Sequence, residues 1–133
     1  MTRDRERPDV TEAELSVLKE LWVLGSATIR ELTDRLYPGG DTAHYGTVQK
    51  LLERLQTKRC VRRKARGRVN VFTATVDRSA LIAHRLRETA NQLCEGSLTP
   101  LLTQLVDASD LTEADVTALR ALVDSRTGRK EGR

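Results

Sequence analysis

A mainly helical fold carrying one small β-hairpin is what the sequence predicts, on three observations. Threonine-led capping boxes stand ahead of apolar-periodic segments at Thr11, Thr28 and Thr112. Between the second and third boxes, two short runs, Val61–Lys64 and Val69–Thr73, flank a glycine-containing turn. Elsewhere the apolar residues return at helical spacing rather than in alternation. With 133 residues, 38% of them hydrophobic and 32% charged, the chain has apolar material for one compact domain or two small ones.

The first helix is expected over about residues 12–24. In Thr11-Glu12-Ala13-Glu14 the threonine oxygen accepts from the N3 amide and Glu14 reaches back, while Val10 and Leu15 sit where a hydrophobic staple forms. Its stripes, Leu15/Leu18/Trp22 and Val17/Leu21/Leu24, adjoin, so a broad face is buried, and Gly25 stands where a left-handed cap ends a helix. A short second helix, about 28–37, carries Ile29, Leu32 and Leu36 and is broken by Pro38-Gly39-Gly40-Asp41. The third, about 43–58, places Val48, Leu51, Leu52 and Leu55 on a core face. Its opposite face collects Ala43, Gly46, Thr47, Lys50, Glu53 and Arg54, where Gly46 costs about 1 kcal/mol against alanine. The hairpin follows, its tip Ala65-Arg66-Gly67-Arg68 basic. Three helices followed by a basic hairpin is the order of a winged helix-turn-helix.

The remainder reads as helical. A helix to about Glu95, capped by Asp77 or Ser79, carries Ile82, Leu86, Ala90 and Leu93, with Gly96 as its stop. A second, begun at Ser97 with Pro100 in its first turn, carries Leu98, Leu101, Leu102, Leu105 and Val106. The last, about 113–125, offers Val116, Leu119, Leu122 and Val123. These stripes exceed what so thin a layer buries, which implies a second copy. The expected division is a flexible N-terminus at 1–10, a winged helix at 11–75, a helical dimerisation region at 76–125 and a disordered tail at 126–133.

Charge narrows the function. Residues 1–75 hold 15 Lys/Arg against 10 Asp/Glu, and residues 76–133 hold 8 against 9. From Arg54 to Arg68 there are eight basic residues and no acid, a field that attracts polyanions. No apolar run exceeds four residues, as in Leu21–Leu24, and the charged first ten residues lack a secretory segment, so a cytoplasmic chain with no membrane span is expected. Cys60 and Cys94 stand 34 positions apart without a CxxC, which points to free thiols rather than a zinc site or disulfide. His44 and His84 are isolated, as a helix-start or phosphate-contact residue and a surface helix residue respectively. Neither an HExxH nor a GxSxG stretch occurs, so neither an enzyme nor a cofactor is indicated.

A third helix with an apolar back and a polar front suits the major groove of duplex DNA. Ala43, Gly46, Thr47 and Lys50 are the candidates for base edges: threonine bonds either base type or packs its methyl on thymine, and lysine donates to guanine. Candidates for the sugar–phosphate backbone are Thr28, Arg30, His44, Tyr45, Arg54 and Lys58, with Arg66 and Arg68 on the wing. A competing reading is a winged-helix interaction module whose basic wing binds an acidic protein. RNA binding is weakened because the four aromatics form no stacking platform.

The stretches TEAELSVLKELWVLGSATIRELTDRL and HYGTVQKLLERLQTKRCVRRKARGRVNVF resemble the penicillinase-repressor family (BlaI/MecI/CopY type). The matching features are Glu14 with Trp22, Ala27-Thr28, Tyr45 with Thr47-Val48, Leu51-Leu52, Arg54-Leu55, Lys58, and Gly67-Arg68 before Phe72. The resemblance runs from about Val10 to Val123. It implies a dimeric transcriptional repressor on palindromic operators of antibiotic-resistance or related stress genes, released by an inducing protease or ligand. Three features depart from the family. Cys60 stands where the family usually has glycine after the third helix, so a different entry to the strand is expected; the tail has no CxC motif, so copper sensing is not expected. Where antibiotic-responsive members are cleaved at an Asn-Phe step, this chain has Gln104-Leu105.

Overall fold

The computed structural model describes residues 9–107 and 111–131. Among these, the elements in order are α1 (Glu12–Leu24), α2 (Ile29–Leu36), α3 (Thr42–Thr57), β1 (Val61–Arg66), β2 (Val69–Ala74), α4 (Arg78–Leu93), α5 (Thr99–Asp107) and α6 (Glu113–Glu131). The chain divides into two compact units, residues 1–85 and 86–133.

In the first unit each helix start is fixed by its own side chains. Thr11 accepts from the Glu14 amide at 3.2 Å while Glu14 accepts from the Thr11 amide at 3.0 Å. Thr28 and Glu31 exchange the same bonds at 3.1 and 2.8 Å. Helix α1 ends at Gly25, whose φ is positive (84°) but whose ψ of −54° is not that of a left-handed helix. Val17, Leu18 and Leu21 of α1, Leu32 of α2, and Val48, Leu51, Leu52 and Leu55 of α3 form one core with Val61 and Phe72 of the hairpin. Val10 joins that core, so the segment expected to be flexible is anchored at least from Val10 onward, and Arg85 Nη2 also donates to its carbonyl at 2.7 Å. Residues 1–8 of that segment lie outside the described residues.

The hairpin is antiparallel, registered from Val61↔Ala74 to Arg66↔Val69. Its two-residue loop begins with Gly67 at φ 63°, the conformation a glycine-led hairpin turn requires. Pairing therefore runs two residues further along β1 than expected, because a two-residue turn leaves Ala65 and Arg66 in the ladder. A bridge between Ala27 and Phe72, with amide bonds of 3.0 and 2.8 Å, ties the hairpin to the α1–α2 connection. Trp22 Nε1 donates to the Val76 carbonyl at 2.8 Å, and the Arg78 guanidinium lies 4.9 Å from the centre of the same indole.

After α3 the left-handed backbone position is Arg59 (φ 65°), not Cys60, which instead fills the core at 2% exposure. The glycine-like demand thus falls one residue earlier than the sequence reading put it, and a side chain there costs roughly 1–2 kcal/mol. His84 also differs from expectation. Its side chain is 13% exposed, and Nε2 lies 3.4 Å from Asp9 Oδ1, so it is a largely covered residue rather than a surface one.

In the second unit, Thr112 and Asp115 complete the third capping box, with both bonds at 3.1 Å. Helix α6 continues to Glu131, past the expected stop near residue 125. A single glycine such as Gly128 costs a helix only about 1 kcal/mol, so part of the tail expected to be disordered is helical. Residues 132–133 lie outside the described residues. No described helix is long and apolar enough to cross a membrane.

Candidate nucleic-acid interface

The site is built on α3 and the turn before it. Gly40 makes that turn possible: its amide donates to the Tyr37 carbonyl at 2.7 Å, and a Cβ there would meet that oxygen at 2.8 Å. Asp41 then caps α3, accepting from the Ala43 amide at 3.0 Å and the His44 amide at 3.3 Å. The His44 amide, helped by the imidazole and the Ala43 amide, holds the Asp41 carboxyl below its ordinary range against the opposing desolvation. His44 completes the cap by accepting from the Asp41 amide through Nδ1 at 3.2 Å, and its ring stacks on Tyr37 at 4.5 Å. His44 is thus a helix-start residue first.

With α3's core stripe buried, its opposite side faces solvent. Ala43, Thr47 and Lys50 are exposed and Gly46 is half-exposed, so the four base-edge candidates share one open face. Thr42 and Gln49 are exposed on the same face, and sequence reasoning passed over both although 100° per residue places each within about 60° of Gly46. The Thr47 hydroxyl donates to the Ala43 carbonyl at 3.1 Å, so its donor is spent inside the helix. Beside the N-terminus of α3, Arg30, Thr33, Asp34, Gly40, Asp41, Thr42 and Tyr45 line an open cleft of about 400 Å³. Arg30 and Tyr45, both backbone candidates, thus meet at one cleft.

The other backbone candidates separate. Arg54, Arg66 and Arg68 are exposed, and so are Arg62, Arg63 and Lys64 along β1, giving the wing a cationic edge longer than its tip. The unbroken basic run signalled these three, but only the strand's length shows that they share the edge. Thr28 is half-exposed, with its hydroxyl accepting from the Glu31 amide as the α2 cap. Lys58 does not belong to the exposed set. Its Nζ lies 2.6 Å from Glu14 Oε1 and 2.8 Å from the Asp9 carbonyl, with the side chain 20% exposed. Burial pushes the Glu14 carboxyl up, but the Lys58 and Thr11 hydrogen bonds and the charges of Lys58 and Arg54 outweigh it and hold the group below its ordinary range.

Of the apolar residues expected at a dimer surface, Leu86, Leu93, Leu98, Leu102, Leu105 and Leu122 are exposed in the second unit, and Ile82 in the first. Leu101, Val116 and Leu119 are half-buried.

The chain is similar to several known proteins. The chain is 26% identical to the penicillinase repressor of Bacillus licheniformis over 124 residues, which covers 93% of this chain and 96% of that protein. It is 27% identical over 118 residues to an uncharacterised 16.5 kDa protein from the ptsI 3′ region of Latilactobacillus sakei, covering 89% of this chain and 80% of the other. Among solved structures, the DNA-binding domain of the repressor BlaI matches 56% of this chain and 89% of its own, at 30% identity and a TM-score of 0.47. A mutant of MarR from E. coli, in complex with operator DNA, matches 93% of this chain and 84% of its own, at 25% identity and a TM-score of 0.45. Residues 10–125 match the penicillinase repressor family as a whole, and the chain belongs to that family.

Proposed function

We propose that the protein is a DNA-binding transcriptional repressor that acts in the cytoplasm as a homodimer on palindromic operators, with residues 11–75 reading DNA and residues 76–125 pairing the copies. The regulated genes, on the strength of family membership, are those of antibiotic resistance or related stress responses. The observation that carries the reading is the open face of α3 (Ala43, Gly46, Thr47, Lys50) with the exposed cations Arg54, Arg66 and Arg68 in the same unit. A helix seated in the major groove reads bases from such a face, while flanking cations hold phosphates. A two-fold dimer then places its two helices on half-sites one helical turn of about 34–36 Å, or a multiple, apart.

The test separates base reading from charge. Lys50→Ala should weaken operator binding by roughly 1–3 kcal/mol and barely affect random DNA. Arg68→Ala should weaken both and flatten the dependence of log K on log salt by about 1 per subunit. Binding titrations of both variants on both DNAs across a salt series measure this. Wild-type behaviour from both variants would hand the lead to binding of an acidic protein partner.

A further inference from the structure

Gly46 sits inside α3, and the fold gives no reason for a glycine there. Its φ is not positive, and a Cβ added to it would meet nothing within 4 Å. Alanine would fit without a clash and would strengthen the helix. A residue that weakens an element while serving no internal packing points to a contact outside the chain.

Its neighbours say what kind of thing. Ala43, one turn earlier, presents a methyl group. Thr47 has turned its hydroxyl hydrogen to the Ala43 carbonyl at 3.1 Å, which leaves its methyl and an acceptor lone pair. Around Gly46 the helix surface is therefore low and open beside the methyls of Ala43 and Thr47, on a face whose other residues, Thr42, Gln49, Lys50 and Glu53, are polar and exposed. Thymine alone among the bases puts an apolar group, its C5-methyl, on the major-groove edge. We propose that Gly46 is a specificity-determining residue, opening a notch in which the methyl of one thymine per half-site packs against the helix backbone. The proposal rests on the repressor reading above.

The experiment starts by selecting the tightest-binding duplex from a random-sequence pool with the full chain. Wild type and Gly46→Ala are then titrated on that duplex, on a random duplex, and on versions of the selected duplex with each thymine in turn replaced by deoxyuridine. Gly46→Ala should melt about 2–6 °C higher and yet bind the selected duplex at least tenfold more weakly, since an added Cβ overpacks a close contact. Its binding to random DNA should be unchanged. In wild type, one deoxyuridine position per half-site should cost about three- to tenfold, the scale of one buried methyl, and the same change should be silent in Gly46→Ala. Wild-type affinity in Gly46→Ala, equal losses on both duplexes, or silence at every deoxyuridine would each overturn the proposal. A pool that enriches no sequence would instead remove the repressor reading beneath it, a distinguishable result.

Discussion

Replacing Lys58 with alanine should destabilise the first unit by about 3–5 kcal/mol, because it strands a buried carboxylate without its counter-charge. Glu14 is 1% exposed, and its Oε1 is bound by Lys58 Nζ at 2.6 Å and by the Thr11 amide at 3.0 Å. The same ammonium holds the Asp9 carbonyl at 2.8 Å, so one side chain joins the end of α3, the start of α1 and the segment before it. A loss of 3 kcal/mol lowers the melting temperature of a unit this size by roughly 12 °C or more. Thermal unfolding followed by Trp22 fluorescence measures it. The double variant Glu14→Gln with Lys58→Met should recover much of the loss, since removing both charges leaves no buried charge without a counter-charge. A Lys58→Ala protein as stable as wild type would show that the clamp is solvated and worth little.

The sign with pH follows from the same contacts. Glu14 is held below its ordinary value of 4.5, so it contributes stability that is present above that value and lost as pH falls through the lower folded one. In Lys58→Ala the largest lowering influence is gone and burial pushes the carboxyl up, so protonation then relieves strain. The stability gap between wild type and Lys58→Ala should accordingly narrow as the solution is acidified. Asp41 is lowered as well, so Glu14→Gln should reduce the acid sensitivity of the fold without abolishing it.

This clamp also marks where sequence reasoning stops. Glu14 was legible as a capping-box residue and Lys58 as one cation in a basic run, and local spacing explains both. That they meet across 44 positions is a consequence of how α1 crosses the end of α3, which no periodicity encodes. By sequence Lys58 therefore groups with the DNA contacts, while in the fold its ammonium is bound to Glu14 and the Asp9 carbonyl. The helix starts were legible for the opposite reason. Thr11, Thr28 and Thr112 bond groups three residues away, and such contacts are written in local order. Asp41 was passed over as part of the Pro-Gly-Gly break because its partner at N3 is His44 rather than a glutamate. The face of α3 was legible because a buried stripe at i, i+3, i+4, i+7 dictates what lies opposite.

In the homodimer proposed above, charging the exposed leucines of α5 should separate the copies and take operator binding with them. Leu102 and Leu105 are 57% and 47% exposed, Val106 beside them is 62% exposed, and on α6 Leu122 and Val123 are 60% and 59% exposed. Leu101, Val116 and Leu119 are half-buried, so the second unit covers part of its apolar surface and leaves the rest open. Exposed apolar surface on that scale is characteristic of an interaction face. Leu102→Asp with Leu105→Asp places two carboxylates where a partner copy would have to bury them, so sedimentation at micromolar concentration should show a monomer in place of a dimer. The first unit has its own core, so its thermal transition should not move. On a palindromic site the second subunit binds at an effective concentration in the millimolar range, and a monomer forfeits that advantage. Operator affinity should fall by about 10²–10⁴-fold, while single half-site binding, measured on a duplex carrying one arm of the palindrome, should be unchanged. A double-aspartate protein that remains dimeric and holds its operator would place the pairing surface elsewhere.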